Sequence, residues 1–289
     1  MSKLEFPNMS EKLFYELSIA GHTLPLFLHS VGFILLYKAK RTLPNQRIVT
    51  MDLAAAEVLY CLWQIVQYII YLTKFKASFE GLFMFIFLHQ FVYLNIALIY
   101  IIIIADRFLY IWLNIKYTVY ITKKKLSSAM CIQWLIAALI ALIPVLLFRN
   151  GMIDSNHYIN TILAIELVLD ISIITILFLT FIYFFLKVKN ATKPSTTQQR
   201  GNRGVIRFWT KLKIPCLMVV TFITFNIGST IIKHIQVRLH GTAFDLMLYI
   251  IVDVLTIVGW CSDALTYILL QKRVRCLVSI NRGNTDDCK

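Results

Sequence analysis

Apolar residues fill this chain in seven long blocks, and polar residues gather in the stretches between them. The blocks run over about residues 18–37, 48–72, 82–113, 126–148, 159–187, 212–233 and 243–270. Crossing roughly 30 Å of hydrocarbon takes an α-helix of about 20 apolar residues, and every block reaches that length. The pattern predicts an all-α membrane protein, with a seven-transmembrane helix bundle over 18–270, a polar segment 1–17 before it and a tail 271–289 after it. Within the tail, Val274, Leu277 and Val278 oppose Lys272, Arg273 and Arg275. That spacing predicts a short amphipathic eighth helix over 271–280, lying in the membrane surface. No repeat of one half in the other, of the kind that marks many transporters, is visible.

Composition agrees with the pattern. At 289 residues, 58% hydrophobic and 15% charged, with mean hydropathy +0.71, the chain is no soluble domain. A net charge of +14 would suit nucleic acid, but the placement of the charge points to the bilayer instead. The stretches after the first, third and fifth blocks, together with the tail, hold 21 of the 29 basic residues. The positive-inside bias puts that side in the cytosol and the N-terminus outside. No nucleic-acid partner is expected. Residues 1–17 carry three acids and two lysines, with no cleavable signal, so the first block is expected to act as its own signal. Asn8 opens an Asn-Met-Ser acceptor for N-glycosylation on the outer side; Asn190 opens another that would face the cytosol. The six cysteines lie in apolar blocks or on the tail, so no disulfide framework is expected.

Charge inside the blocks marks the candidate chemistry. The third block runs almost without relief from 91 to 105, then delivers Asp106 and Arg107 side by side where the hydrocarbon should end. An ion pair at that boundary escapes the cost of a mid-bilayer charge. Asp52, Glu57, Glu166, Asp170, Asp253 and Asp263 lie in or near the blocks, and intramembrane acids are functional candidates by default. Glu166 and Asp170 are spaced i, i+4 near the outer end of the fifth helix. Asp253 precedes Tyr267 by 14 residues, and His89 precedes Arg107 by 18. These spacings are about 21 Å and 27 Å along a helix, each on nearly one face. A bundle opening outward would present His89, Tyr93, Glu166, Asp170 and Asp253, a net acidic lining suited to a small cation. A polar network satisfied without any ligand is the alternative. His234 and His240 fall in a loop, and no metal, nucleophile or phosphate-loop pattern is present.

The order D-R-F-x-x-I-x-x-N-I-x-Y from Asp106 to Tyr117 resembles the end of the third helix in rhodopsin-like (class A) G-protein-coupled receptors, D-R-Y-x-x-I-x-x-P-L-x-Y. Further matches keep the register. Leu53-Ala54-Ala55-Ala56-Glu57 is similar to the family's L-A-x-x-D, Trp134 stands 27 residues after Arg107, and Asp263-Ala264-Leu265-Thr266-Tyr267 is similar to N/D-P-x-x-Y. The resemblance covers about residues 20–280. It implies a plasma-membrane receptor, not an enzyme, that senses a small extracellular ligand and activates a cytosolic heterotrimeric G-protein. Arg107 would pair with Asp106 at rest and meet Tyr183, Tyr267 and the G-protein on activation. Glu57 and Asp263 would approach in mid-bundle, with either a sodium ion between them or a proton on one. The eighth helix would carry a palmitoylated Cys276.

The departures are as specific as the matches. His29 or Phe33 stands where the family keeps an asparagine in the first helix, and the outer cysteine pair is missing. Asn226 and Gly228 replace the sixth helix's tryptophan and kinking proline, the fifth block has no proline, and Pro144 is expected to break the upper part of the fourth helix. Residues 243–270 hold no lysine for a retinal Schiff base. The rival class is a seven-helix transporter or proton-coupled carrier, favoured by the six acids.

Overall fold

A computed structural model of the chain describes residues 10–38, 44–73, 79–113, 116–191, 217, 220, 221, 223–225, 228–233, 235 and 245–270. Its elements are α1 (Ser10–Lys38), α2 (Pro44–Leu72), α3 (Phe79–Leu113), the single turn α4 (Tyr117–Tyr120), α5 (Lys123–Arg149), α6 (Ser155–Ala191) and α7 (Asp245–Leu270). All but α4 are long and apolar enough to cross a membrane, with mean hydropathy between 1.5 and 2.6. The protein is therefore an all-α, multi-pass membrane protein. The described positions between 217 and 235 are helical, and all but 235 fall in the predicted sixth block. The remainder of that block and the predicted helix over 271–280 lie outside the described residues.

The third spanning helix takes the centre. In α3, 56% of the spanning window is buried, against 28% in α1, α5, α6 and α7. It packs against α2, α5 and α6, while α1 lies across α2 and α7. Small side chains allow the close approaches, as is usual where lipid offers no hydrophobic drive. Ala54 and Ala56 of α2, Ala97 of α3, Ala137 and Ala141 of α5 and Ala264 of α7 are all buried. The outward faces carry Leu13, Phe27, Ile136, Val168, Phe178 and Val254, exposed here and suited to acyl chains.

Several helix ends differ from the sequence reading. α1 begins at Ser10 and takes up part of the polar leader. Lys123, Lys124 and Lys125 form the first turn of α5, capped by Thr122, whose hydroxyl accepts from the Lys125 amide at 3.4 Å. Asp154 caps α6 by accepting from the His157 amide at 2.7 Å. Pro144 does not break its helix: α5 continues to Arg149. Proline removes one helical hydrogen bond, and a spanning helix supported by its neighbours absorbs that loss. Pro144 is itself buried in the bundle.

Polar side chains tie the layers together. Gln133 of α5 donates to the Asn95 carbonyl of α3 at 3.0 Å and to the Asn95 side-chain oxygen. The Trp134 indole donates to both oxygens of Asp52 at 3.0 and 3.3 Å, joining α5 to α2. Asp52 thereby acquires a structural role.

Candidate functional site

Three polar clusters run along the bundle, one at the α3 terminus, one in mid-core and one at the opposite end. The first is built on Asp106 and Arg107, 4% and 6% exposed. Arg107 Nη2 lies 2.9 Å from Asp106 Oδ2. The other oxygen, Asp106 Oδ1, accepts the Tyr117 hydroxyl, which reaches it because α4 turns the chain back beneath α3. Asn45 of α2 braces this turn, with Nδ2 donating to Tyr117 Oη at 3.2 Å and to the Ile121 carbonyl at 2.9 Å. Burial, then the bond to Asp106, pushes the Tyr117 phenol up to about 12, so it stays protonated and donating. Tyr183 of α6 sits beside this cluster, its ring 5.3 Å from that of Phe108. Tyr267 belongs to α7, but its side chain lies outside the described residues.

In mid-core, Glu57 and Asp263 do approach one another. Tyr100 links them, donating to Asp263 Oδ2 at 2.5 Å and lying 3.5 Å from Glu57 Oε1. Thr221 donates to Asp263 Oδ1 at 2.5 Å. On α1, the residue that meets this pair is His29. Its Nδ1 stands 2.8 Å from Glu57 Oε2, and neither side chain has any exposure.

At the other end, a cavity of about 260 Å³ opens between α1, α2, α3, α7 and Lys233. His89 and Asp253 line it as expected. Asp253 is held by neighbours the sequence reading missed: Ser18 and Tyr68 each donate to it at 2.7 Å, and His22 Nε2 lies 3.6 Å away. The other His22 nitrogen donates to the Ser18 carbonyl at 2.9 Å.

The expected acidic lining is divided. Glu166 and Asp170, both 2% exposed, sit to the α6 side. Lys233 Nζ lies 3.7 Å from Glu166 and 5.3 Å from the centre of the Tyr93 ring, and Thr230 donates to Asp170 at 3.1 Å. The site thus carries a base as well as acids, because a carboxylate at this depth gains from a paired cation. A signal for these residues existed. Ser18, His22 and His29 interrupt apolar α1 at i, i+4 and i+11, one helical face, and Lys233 stands at the end of the sixth apolar block. Asn8 and Cys276 lie outside the described residues.

No known family profile matches the sequence, and no curated protein is significantly similar to it.

Proposed function

We propose that this chain is a divergent rhodopsin-like G-protein-coupled receptor. It sits in the plasma membrane with its N-terminus outside, senses a small extracellular ligand and activates a heterotrimeric G-protein. The observation that carries the reading is the closed Asp106–Arg107–Tyr117 latch at the end of the central helix. A buried guanidinium held by one flanking carboxylate is a bistable element: it stays inside, or it leaves when a helix moves and exposes a cationic docking point. The polar cavity at the far end of the same helix suits a ligand of modest size with both polar and aromatic groups. Tyr60, Tyr68 and Tyr249 offer rings, and His89, Lys233 and Asp253 offer charge or hydrogen bonds. A ligand that binds one helix arrangement better than the other shifts the latch by that difference in affinity.

The test is nucleotide exchange on purified G-proteins by the full chain in lipid nanodiscs, screened with small amines, acids and peptides. Ligand-dependent exchange that Arg107→Ala abolishes is expected. Orientation is tested separately by an epitope near Ser195, which external protease should leave intact in unbroken cells.

A second reading, a proton-coupled carrier, is favoured by one observation: two histidine–carboxylate pairs, His22–Asp253 and His29–Glu57, lie along the same face of α1. Substrate flux in proteoliposomes under an imposed pH gradient, without nucleotide exchange, would replace the receptor by this reading.

A further inference from the structure

One acid and one base line the same small cavity, and each is fixed by a different part of the bundle. Asp253 of α7 is held by α1 and α2, where Ser18 and Tyr68 each donate to one of its oxygens at 2.7 Å. A carboxylate offers about four acceptor sites, so two bonds leave it able to accept more. Lys233 is held by α3 and α6. Its Nζ lies over the Tyr93 ring and 3.7 Å from Glu166 Oε2, beyond hydrogen-bond distance. That contact leaves the ammonium's three donors unused. Among the described helices α1 does not touch α6. The two charges therefore belong to separate sides of the bundle and share only this space.

We propose that the cavity takes a short linear zwitterion, with its ammonium on Asp253, its carboxylate on Lys233 and an apolar stem between them. This names the ligand class of the site already assigned, and it rests on the receptor reading for what binding then does. The lining decides against a guest of single charge. A lone cation in so small a space is repelled by Lys233, and a lone anion by Asp253, with Glu166 behind the lysine. A zwitterion meets the opposite charge at each end and brings no net charge out of water. The net acidic lining expected from sequence suited a cation; the lysine changes that preference. At about 260 Å³ the cavity is smaller than the roughly 300–1,000 Å³ usual for drug-sized ligands, so the guest is small. Tyr60, Tyr249 and Val252 supply the walls for its stem. His89 Nδ1, buried without a hydrogen-bond partner among the described residues, offers a further polar contact. A guest bound at both ends ties the α1–α2–α7 side to the α3–α6 side. It thereby favours the helix arrangement that holds those charges at its own length.

Calorimetric binding to the purified full chain in lipid nanodiscs, with no G-protein present, tests this apart from signalling. The probes are γ-aminobutyrate, ε-aminohexanoate and ω-aminooctanoate, which differ in the distance between their charges. Beside them are titrated the plain amine and the plain carboxylic acid that share each stem. At least one zwitterion should bind, and its amine and acid counterparts should each bind about tenfold or more weakly. Lys233→Met should erase the advantage over the amine but not over the acid, and Asp253→Asn should do the reverse. The proposal is overturned if no zwitterion binds with a Kd below about 10 mM, or if an amine or acid binds as tightly as its zwitterion. An advantage that survives both substitutions overturns it too. Should either variant fail to fold, the comparison of probes on the parent decides alone. Zwitterion binding without nucleotide exchange would keep this inference and remove the receptor reading. Exchange driven by a singly charged ligand, with no zwitterion binding, would do the opposite.

Discussion

Tyr117 donates its hydroxyl to Asp106, the same carboxylate that holds Arg107 at 2.9 Å. One phenol and one guanidinium therefore share a single acid, and the phenol is anchored in turn by Asn45 of another helix. Releasing Arg107 takes the cation away from the buried Asp106 charge, so the Tyr117 hydroxyl then carries more of that acid's stabilisation.

Tyr117→Phe is expected to loosen that latch. A hydrogen bond to a charged group contributes about 1.5–3 kcal/mol, and about 1.4 kcal/mol is a factor of ten in an equilibrium. Ligand-independent nucleotide exchange should rise several-fold in Tyr117→Phe and vanish in the double variant with Arg107→Ala. Basal exchange at the parent level, with surface expression matched, would sink the assignment of Tyr117 to the latch.

The Gln133–Asn95 bond between α5 and α3 should show strong non-additivity. Gln133→Leu leaves a fully buried Asn95 side chain short of its partner, at a cost of about 1–3 kcal/mol. Asn95→Leu together with Gln133→Leu removes both polar groups and should recover much of that loss. Thermal melts of the two singles and the double decide the matter. A double variant as unstable as the sum of the singles would mean that the two residues act independently.

Gly259 and Gly228 should respond in opposite ways to alanine. A Cβ at Gly259 would come within 2.8 Å of Phe225 Cβ, whereas one at Gly228 would lie 3.7 Å from the Leu255 side chain, in ordinary contact. Gly259→Ala is expected to destabilise by about 1–3 kcal/mol through overpacking. Gly228→Ala should be neutral or stabilising by up to about 1 kcal/mol, as alanine is the better helix former. Equal midpoints for the two variants would contradict this packing of α7 on the 217–235 segment.

Lys233→Met should strand Glu166, which is 2% exposed and has its cation 3.7 Å away. Lys233 is partly exposed, so solvent screens the pair and the loss should be modest, about 1 kcal/mol. Adding Glu166→Gln should restore the midpoint, and Lys233→Arg should keep it. If the double variant melts lower than Lys233→Met alone, Glu166 is stabilised by something other than this lysine.

Apolar blocks of spanning length were enough to specify an all-α membrane protein and to place α1, α2, α3, α5, α6 and α7, because backbone in hydrocarbon must bond internally and runs of about 20 apolar residues do so as helix. Burial of Glu57, Glu166, Asp170, Asp253 and Asp263 also followed from sequence, since acids within such blocks face the bundle. That Glu57 and Asp263 come together was an expectation carried by the family resemblance, not by the helical period, and Tyr100 stands between them. Their partners belong to tertiary structure. His29 against Glu57, Ser18 and Tyr68 against Asp253, and Lys233 against Glu166 each join residues of different helices. Such pairings depend on helix rotation and crossing, which small residues such as Ala54 and Gly259 set through contacts remote in sequence. The sequence could count the acids in the core; only the packing of α1 on α2 and α7 decided which side chains would face them.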